Sequence, residues 1–338
     1  LIRSMACKKL RALDISGCYI VEGGKFGGVY NTVSFLTKGV YFNTSTPVII
    51  EMPRVQNDVI GEGMFGSLTT IESIELPNSV STIEANAFSD CPALRYVTIG
   101  EKTQFISSKC VFTGSSSLSL VTLRSKAYFN IVDGVMYTAD NKTVVTALPY
   151  VADIVKLQNT TDSIAPYAFY GLKHVTIPVM PEGLRSIGEY AFCESGVVSL
   201  TFPSTLRLID LGAFYDCQYL GEAVFPEQLE TIGHGAFAGC NLSVVDLSKT
   251  QVKTLYGNGS NNFAMPNPHY LGTFQDNNNV TTIWLPATME QVGRGTFTTE
   301  KLTDIYTYAT VPPAIVHPHV YKEGEPVVIA YDGFVYKS

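Results

Sequence analysis

Thr82-Ile83-Glu84-Ala85-Asn86-Ala87-Phe88-Ser89-Asp90-Cys91-Pro92-Ala93-Leu94-Arg95-Tyr96-Val97-Thr98-Ile99 holds, in one stretch, the spacing on which most of the chain is built. Its skeleton is Ile, then Ala-Phe, then Cys, then Leu, Val and Ile. The phenylalanine returns as Phe65, Phe88, Phe112, Phe169, Phe192, Phe214, Phe237, Phe274 and Phe297. Successive members lie 23, 24, 57, 23, 22, 23, 37 and 23 residues apart. A period near 23, with Leu-x-x-Val-x-Leu segments, is the spacing of a solenoid, in which each coil buries its inner face only against its neighbours. The two long gaps mark coils that carry insertions.

Side chains alternate along a strand, so Val97 and Ile99 point inward while Tyr96 and Thr98 point out. The same phase places Thr176 and His174, Trp284 and Tyr306 on the outer side of their coils. Each buried phenylalanine is worth roughly 1.5–3 kcal/mol relative to exposure. Pro77, Pro178, Pro203, Pro226 and Pro286 are expected to end their strands, because proline has no N–H to donate to a ladder.

The chain opens inside a coil, with Cys7, Leu10, Leu13 and Ile15 matching Cys91, Leu94, Val97 and Ile99. Residues 17–46 interrupt the pattern, with Val29–Leu36 and Gly39–Asn43 reading as a hairpin, and Ile50-Glu51-Met52-Pro53 reads as the next coil. Residues 124–150 read as an antiparallel hairpin with a polar turn at Asp140-Asn141. Residues 256–270, rich in Asn and Gly, read as an irregular loop. Pro312-Pro313 closes the repeat, and the cap is placed near 309–338, with Val327–Tyr331 and Phe334–Tyr336 as a capping hairpin. About twelve coils result, all in one domain spanning 1–338.

Composition narrows the function. Charged residues make up 16% of the 338, and Tyr and Phe number 19 and 18, which suits half-buried β surfaces rather than a disordered chain. A net charge of −7 argues against a nucleic-acid partner. No run approaches the roughly 18 apolar residues of a membrane span. Leu1-Ile2-Arg3-Ser4 lacks the apolar core of a signal peptide, and without an initiator Met the chain is expected to be a processed or trimmed form. Cys7, Cys91, Cys217 and Cys240 share one repeat position and read as buried thiols, with a Cys217–Cys240 disulfide as the alternative.

No catalytic constellation appears. Gly23-Gly24-Lys25-Phe26-Gly27-Gly28 has no helix after it, so it reads as hairpin rather than phosphate loop. His317-Pro318-His319 lacks a carboxylate partner, and Asp133-Gly134 and Asp332-Gly333 read as turns. No cofactor or metal site is expected, and the chain is read as non-enzymatic. Trp284, the single Trp, either stands on the outer face beside Tyr306 or is covered by the 256–270 insertion.

Ser186-Ile187-Gly188-Glu189-Tyr190-Ala191-Phe192 and Thr231-Ile232-Gly233-His234-Gly235-Ala236-Phe237-Ala238-Gly239-Cys240 resemble the BspA-type leucine-rich repeat. Val132-Asp133-Gly134-Val135-Met136-Tyr137 is similar to that family's inserted hairpins, and Tyr308-Ala309-Thr310-Val311-Pro312-Pro313 to its closing coil. The likeness covers most of the chain and departs at 17–46 and 256–270. It implies an α/β, strand-rich, right-handed leucine-rich-repeat superhelix with hairpin insertions. It also implies a cell-surface or secreted protein that adheres to host or matrix proteins, typical of Bacteroides-group bacteria and some parasitic protists.

The expectation is therefore a monomeric recognition protein binding a protein or glycan through its solenoid face. The candidate contact residues are Tyr96, Thr98, His174, Thr176, Trp284 and Tyr306. The alternative is an assembly scaffold that makes its contacts through the insertions at 17–46 and 124–150.

Overall fold

The computed structural model describes residues 59–257, 271–299 and 301–316, with backbone only at 177, 178 and 316. To these it adds the backbone of five short strands at Ala12–Asp14, Lys25–Phe26, Ile50–Glu51, Tyr321–Lys322 and Glu325–Pro326. The chain forms two compact units, Leu1–Val151 and Ala152–Ser338. Both are strand-rich repeat solenoid, with about ten coils in all rather than twelve.

Every regular coil contributes two strands to two parallel ladders. In the first unit the main ladder runs Ala12–Asp14, Ser73–Glu75, Tyr96–Ile99, Leu120–Leu123. A second runs Val59–Ile60, Thr82–Ile83, Phe105–Ile106. In the second unit the main strands are Ile154–Lys156, Ile177–Val179, Ser199–Thr201, Glu222–Val224, Val244–Asp246, Thr282–Leu285 and Asp304–Thr307. Their companions include Ser163–Ile164, Ser186–Ile187, Leu208–Ile209 and Thr231–Ile232. The inward Val97, Val245 and Ile283 and the companion-strand Ile83, Ile187, Ile209 and Ile232 are all buried.

The helical part of the expected fold is absent: no helix occurs among the described residues. The reason lies around the phenylalanines. From Phe65 to Phe237 each is flanked two residues before and two after by left-handed backbone, as at Asn86 and Asp90 (φ 57° and 52°), Tyr190 and Glu194 (52° and 55°), and Gly235 and Gly239 (56° and 72°). Two left-handed residues within five cannot sit in a right-handed helix. Instead the arc hydrogen-bonds to the next coil at alternate residues: Asn86, Phe88 and Asp90 N–H donate to Lys109, Val111 and Thr113 O at 3.0, 2.9 and 2.8 Å. The phenylalanine rings stack face to face along each unit. Phe65–Phe88–Phe112 have centroids 5.5 and 5.6 Å apart, and Phe169–Phe192–Phe214–Phe237 are spaced 4.7, 5.1 and 5.1 Å.

The cysteine position has a polar task. Cys91, Cys217 and Cys240 Sγ donate to the carbonyls of Phe65, Phe192 and Phe214 at 2.9, 3.0 and 3.1 Å. Ser115 Oγ does the same for Phe88 O at 2.6 Å, and Asn277 Nδ2 for Phe237 O at 2.7 Å. The side-chain donor ties the arc to the coil before it, beside the backbone N–H that the Phe192 and Phe214 carbonyls also accept from Ser195 and Cys217 at 3.1 and 3.3 Å. Cys217 and Cys240 are free thiols, which removes the disulfide alternative. Burial pushes the Cys91 and Cys217 thiols up to about 11.

Three sequence expectations need correction. Ile50–Glu51 is not a coil of the main ladder: it pairs antiparallel with Lys25–Phe26, and Ala12–Asp14 joins directly to Ser73–Glu75. The excursion between these strands therefore leaves the coil count one lower. Pro178 does not end its strand; it pairs in register with Val155, and the chain turns at Pro181, whose carbonyl accepts from Leu184 N–H at 3.0 Å. Pro77, Pro203, Pro226 and Pro286 make that same turn after their strands, to Val80, Leu206, Leu229 and Met289. The repeat also runs past Pro313, because Ala314–Val316 pairs with Gln291–Gly293.

The insertion at 124–150 is a three-stranded antiparallel meander, Phe129–Val132, Val135–Thr138 and Thr143–Ala147. It has turns at Asp133-Gly134 and Asp140-Asn141. The hairpin at 29–43, the 258–270 part of the third insertion, His317 and His319, Cys7 and Cys18, and the capping strands at 327–336 lie outside the described residues.

Candidate partner-binding face

In the first unit the register aligns Ser73, Tyr96 and Leu120 in one outward column, and Glu75, Thr98 and Thr122 in the next. Tyr96 and Leu120 are 49% and 50% exposed. Tyr96 and Thr98 thus stand where the alternation puts them. The charge here is balanced: Arg124 pairs with Glu75, and its other nitrogen donates to Asn78 Oδ1 at 3.0 Å.

In the second unit Asp246, Trp284 and Tyr306 form one outward column, and Val244, Thr282 and Asp304 the other. Trp284 and Tyr306 stack with centroids 5.5 Å apart and planes 16° from parallel, as adjacent strands at about 4.8 Å impose. Trp284 is half-buried and Tyr306 is 43% exposed. Tyr308, two residues further along, is exposed as well.

His174 and Thr176 fall elsewhere. Val175 occupies the turn position of Leu94, each N–H donating the same turn bond, to Leu172 O and Cys91 O. His174 and Thr176 therefore precede the strand, which begins at Ile177 opposite Ile154. Thr176 N–H donates to Asp153 O at 3.0 Å, a junction bond rather than a ladder bond. The structure brings Trp284 together with Tyr306, and Tyr96 with Thr98, while His174 and Thr176 join neither pair.

Asp246, Asp304 and Tyr308 were not singled out from the sequence, although the strand phase that placed Trp284 also places them. On the arc of the second unit, Tyr167 stacks on Tyr190 at 5.1 Å, and Tyr170 Oη donates to Glu194 at 3.4 Å. Burial raises the Tyr190 and Tyr215 phenols, so both stay neutral hydrogen-bonding groups. Among the described residues no three His, Cys, Asp or Glu side chains gather as a metal site. No helix among them is long and apolar enough to cross a membrane. What the arrangement offers chemically is contact: aromatic faces, hydroxyls and carboxylates on a regular grid.

The pattern that defines the BspA type leucine rich repeat region matches residues 36–146 and 152–264, in six copies. The chain belongs to the BspA-type leucine-rich-repeat family. Structures of other leucine-rich-repeat proteins resemble it. One from Eubacterium ventriosum aligns over 75% of this chain and 82% of its own, with 15% identity and a TM-score of 0.53, a likeness of fold alone. A leucine rich cell surface protein from Faecalibacterium prausnitzii aligns over 75% of this chain at 19% identity and a TM-score of 0.47; this chain spans 57% of that protein's length. A leucine-rich repeat protein from Bacteroides ovatus aligns over 85% of this chain and 76% of its own, with 15% identity and a TM-score of 0.46. No curated protein matches the chain. The matched residues carry most of both ladders and the phenylalanine stack from Phe65 to Phe237.

Proposed function

We propose that the chain is a non-enzymatic recognition module, displayed on a cell surface or secreted, that holds a protein or glycan partner through the outward face of its main strands. Leucine-rich repeats of this family are interaction modules, and the cell-surface description of the Faecalibacterium protein is in keeping with display. The observation that carries the reading is the Trp284–Tyr306 pair, two large rings side by side on an outward column. Aromatic residues of this kind concentrate binding energy, because they offer large contact area with few rotamers to freeze.

The test is capture on glycan and host-protein arrays by the full chain and by a Trp284→Ala/Tyr306→Ala variant. Loss of capture at an unchanged melting temperature supports the reading. Equal capture rejects this face as the site. Loss on shortening the Asp140-Asn141 turn instead would favour a scaffold that works through its insertions.

A further inference from the structure

The Trp284 end of the face is distinguished by its charge. Along the strands Glu222–Val224, Val244–Asp246, Thr282–Leu285 and Asp304–Thr307, the outward residues are Glu222, Val224, Val244, Asp246, Thr282, Trp284, Asp304 and Tyr306. Glu222, Asp246 and Asp304 are exposed, and no lysine, arginine or histidine shares these columns. None of the three acids enters an ion pair among the described residues, unlike Glu75 with Arg124. Asp246 Oδ1 accepts the Ser248 N–H at 2.9 Å, and Asp304 Oδ2 the Thr303 hydroxyl at 2.8 Å, which leaves one oxygen on each. Lys301, the cation closest in sequence to Asp304, directs its ammonium to Asn279 Oδ1.

Like charges gathered without counter-charge repel one another and attract a cationic partner. The rings fit the same partner. Tyr306 sits on the last strand of its three-stranded sheet, with one face against Trp284. A planar guanidinium can extend that stack by cation–π contact while donating to a carboxylate two residues along the strand. Asp304 stands at that place. Asp246 stands two strand spacings from Tyr306, about 10 Å, with Glu222 outward on the strand of the coil before, and an extended peptide crosses such a span in about three or four residues at ~3.3 Å each.

We propose that this end of the face takes an extended basic segment of a protein partner, with one arginine stacked on Tyr306 and paired with Asp304, and a second basic residue about four positions away reaching Asp246 or Glu222. The proposal rests on the reading of this face as the recognition surface.

Trp284 is the only Trp, so its emission reports the site directly. The full chain is titrated with a capped Gly/Ser peptide bearing two arginines four positions apart, with the same peptide bearing citrulline instead, and with an N-acetylglucosamine oligomer. The arginine peptide should change the emission saturably, bind less tightly as salt is raised, and lose about tenfold or more in affinity to Asp246→Asn/Asp304→Asn. The citrulline peptide should give no response. An equal response to citrulline, or no loss in the Asn variant, overturns the proposal. A Trp284-dependent response to the oligomer alone overturns it too, while leaving the recognition face standing. Silence from all three probes also overturns it, and array capture by the Trp284→Ala/Tyr306→Ala variant then judges the face separately.

Discussion

The inner and outer rows of the same strands obey different rules. Inward, Leu200, Val245 and Ile283 repeat one chemistry and are 3% exposed or less. Outward, one position away, the column runs Thr201, Val224, Asp246, Trp284 and Tyr306, with no chemistry repeated in neighbouring coils until the final aromatic pair. Packing against two neighbours leaves the inner row no freedom, since a change of even one methylene there opens or overfills a close-packed space. The outer row meets solvent on one side, so its sequence is available for recognition. Stability should therefore reside in the inner rows and the arc, and binding in the outer columns.

The strongest way to break that division is Phe214→Ala. Phe214 is fully buried between Phe192 and Phe237, and its loss should cost about 3–5 kcal/mol in denaturant unfolding. An unchanged midpoint would place the spine elsewhere. Gly212→Ala comes next: the residue has φ +56°, and a Cβ would lie 2.6 Å from the Tyr190 ring, so about 1–3 kcal/mol should be lost. Cys217→Ala removes one of the two donors to the Phe192 carbonyl, which keeps the Ser195 N–H at 3.1 Å, and should cost about 1 kcal/mol. Cys217→Ser should recover most of that, as Ser115 already serves Phe88 in this way. The smallest effect belongs to the outer row. Trp284→Ala/Tyr306→Ala should shift the melting temperature little, by the ~0.5–1.5 kcal/mol of one aromatic pair, while capture falls away.

Much of this division is legible in the sequence, because the phase of Val97 and Ile99 against Tyr96 and Thr98 survives directly as buried and outward positions. What stayed hidden has physical causes. The companion strand Thr82–Ile83 is two residues long and shows no alternation to read. Left-handed backbone at Tyr167 and Tyr190 goes with hydrogen bonds to the next coil, and tyrosine does not announce it. Thr176-Ile177-Pro178-Val179-Met180-Pro181 contains two prolines, and it is the second, not the first, that ends the strand. That displaces His174 and Thr176 from the face. Ile50–Glu51 looked like a coil because two β-branched or acidic residues fit either kind of pairing; only the direction of its partner separates them. The candidate site is half legible: strand phase places the rings, while the lack of an ion pair at Asp246 and Asp304 among the described residues is a property of neighbours brought together by folding.

The thiols that support the phenylalanine carbonyls have a further use. Cys91 lies in the first unit and Cys217 in the second, both fully buried. A thiol held near 11 and shut from solvent reacts with an alkylating agent only when its own coil opens and its pKa returns toward about 8.5. Labelling rates at neutral pH, read cysteine by cysteine by mass spectrometry, would thus report the opening free energy of individual coils. The repeat carries a set of built-in probes of where the solenoid frays first.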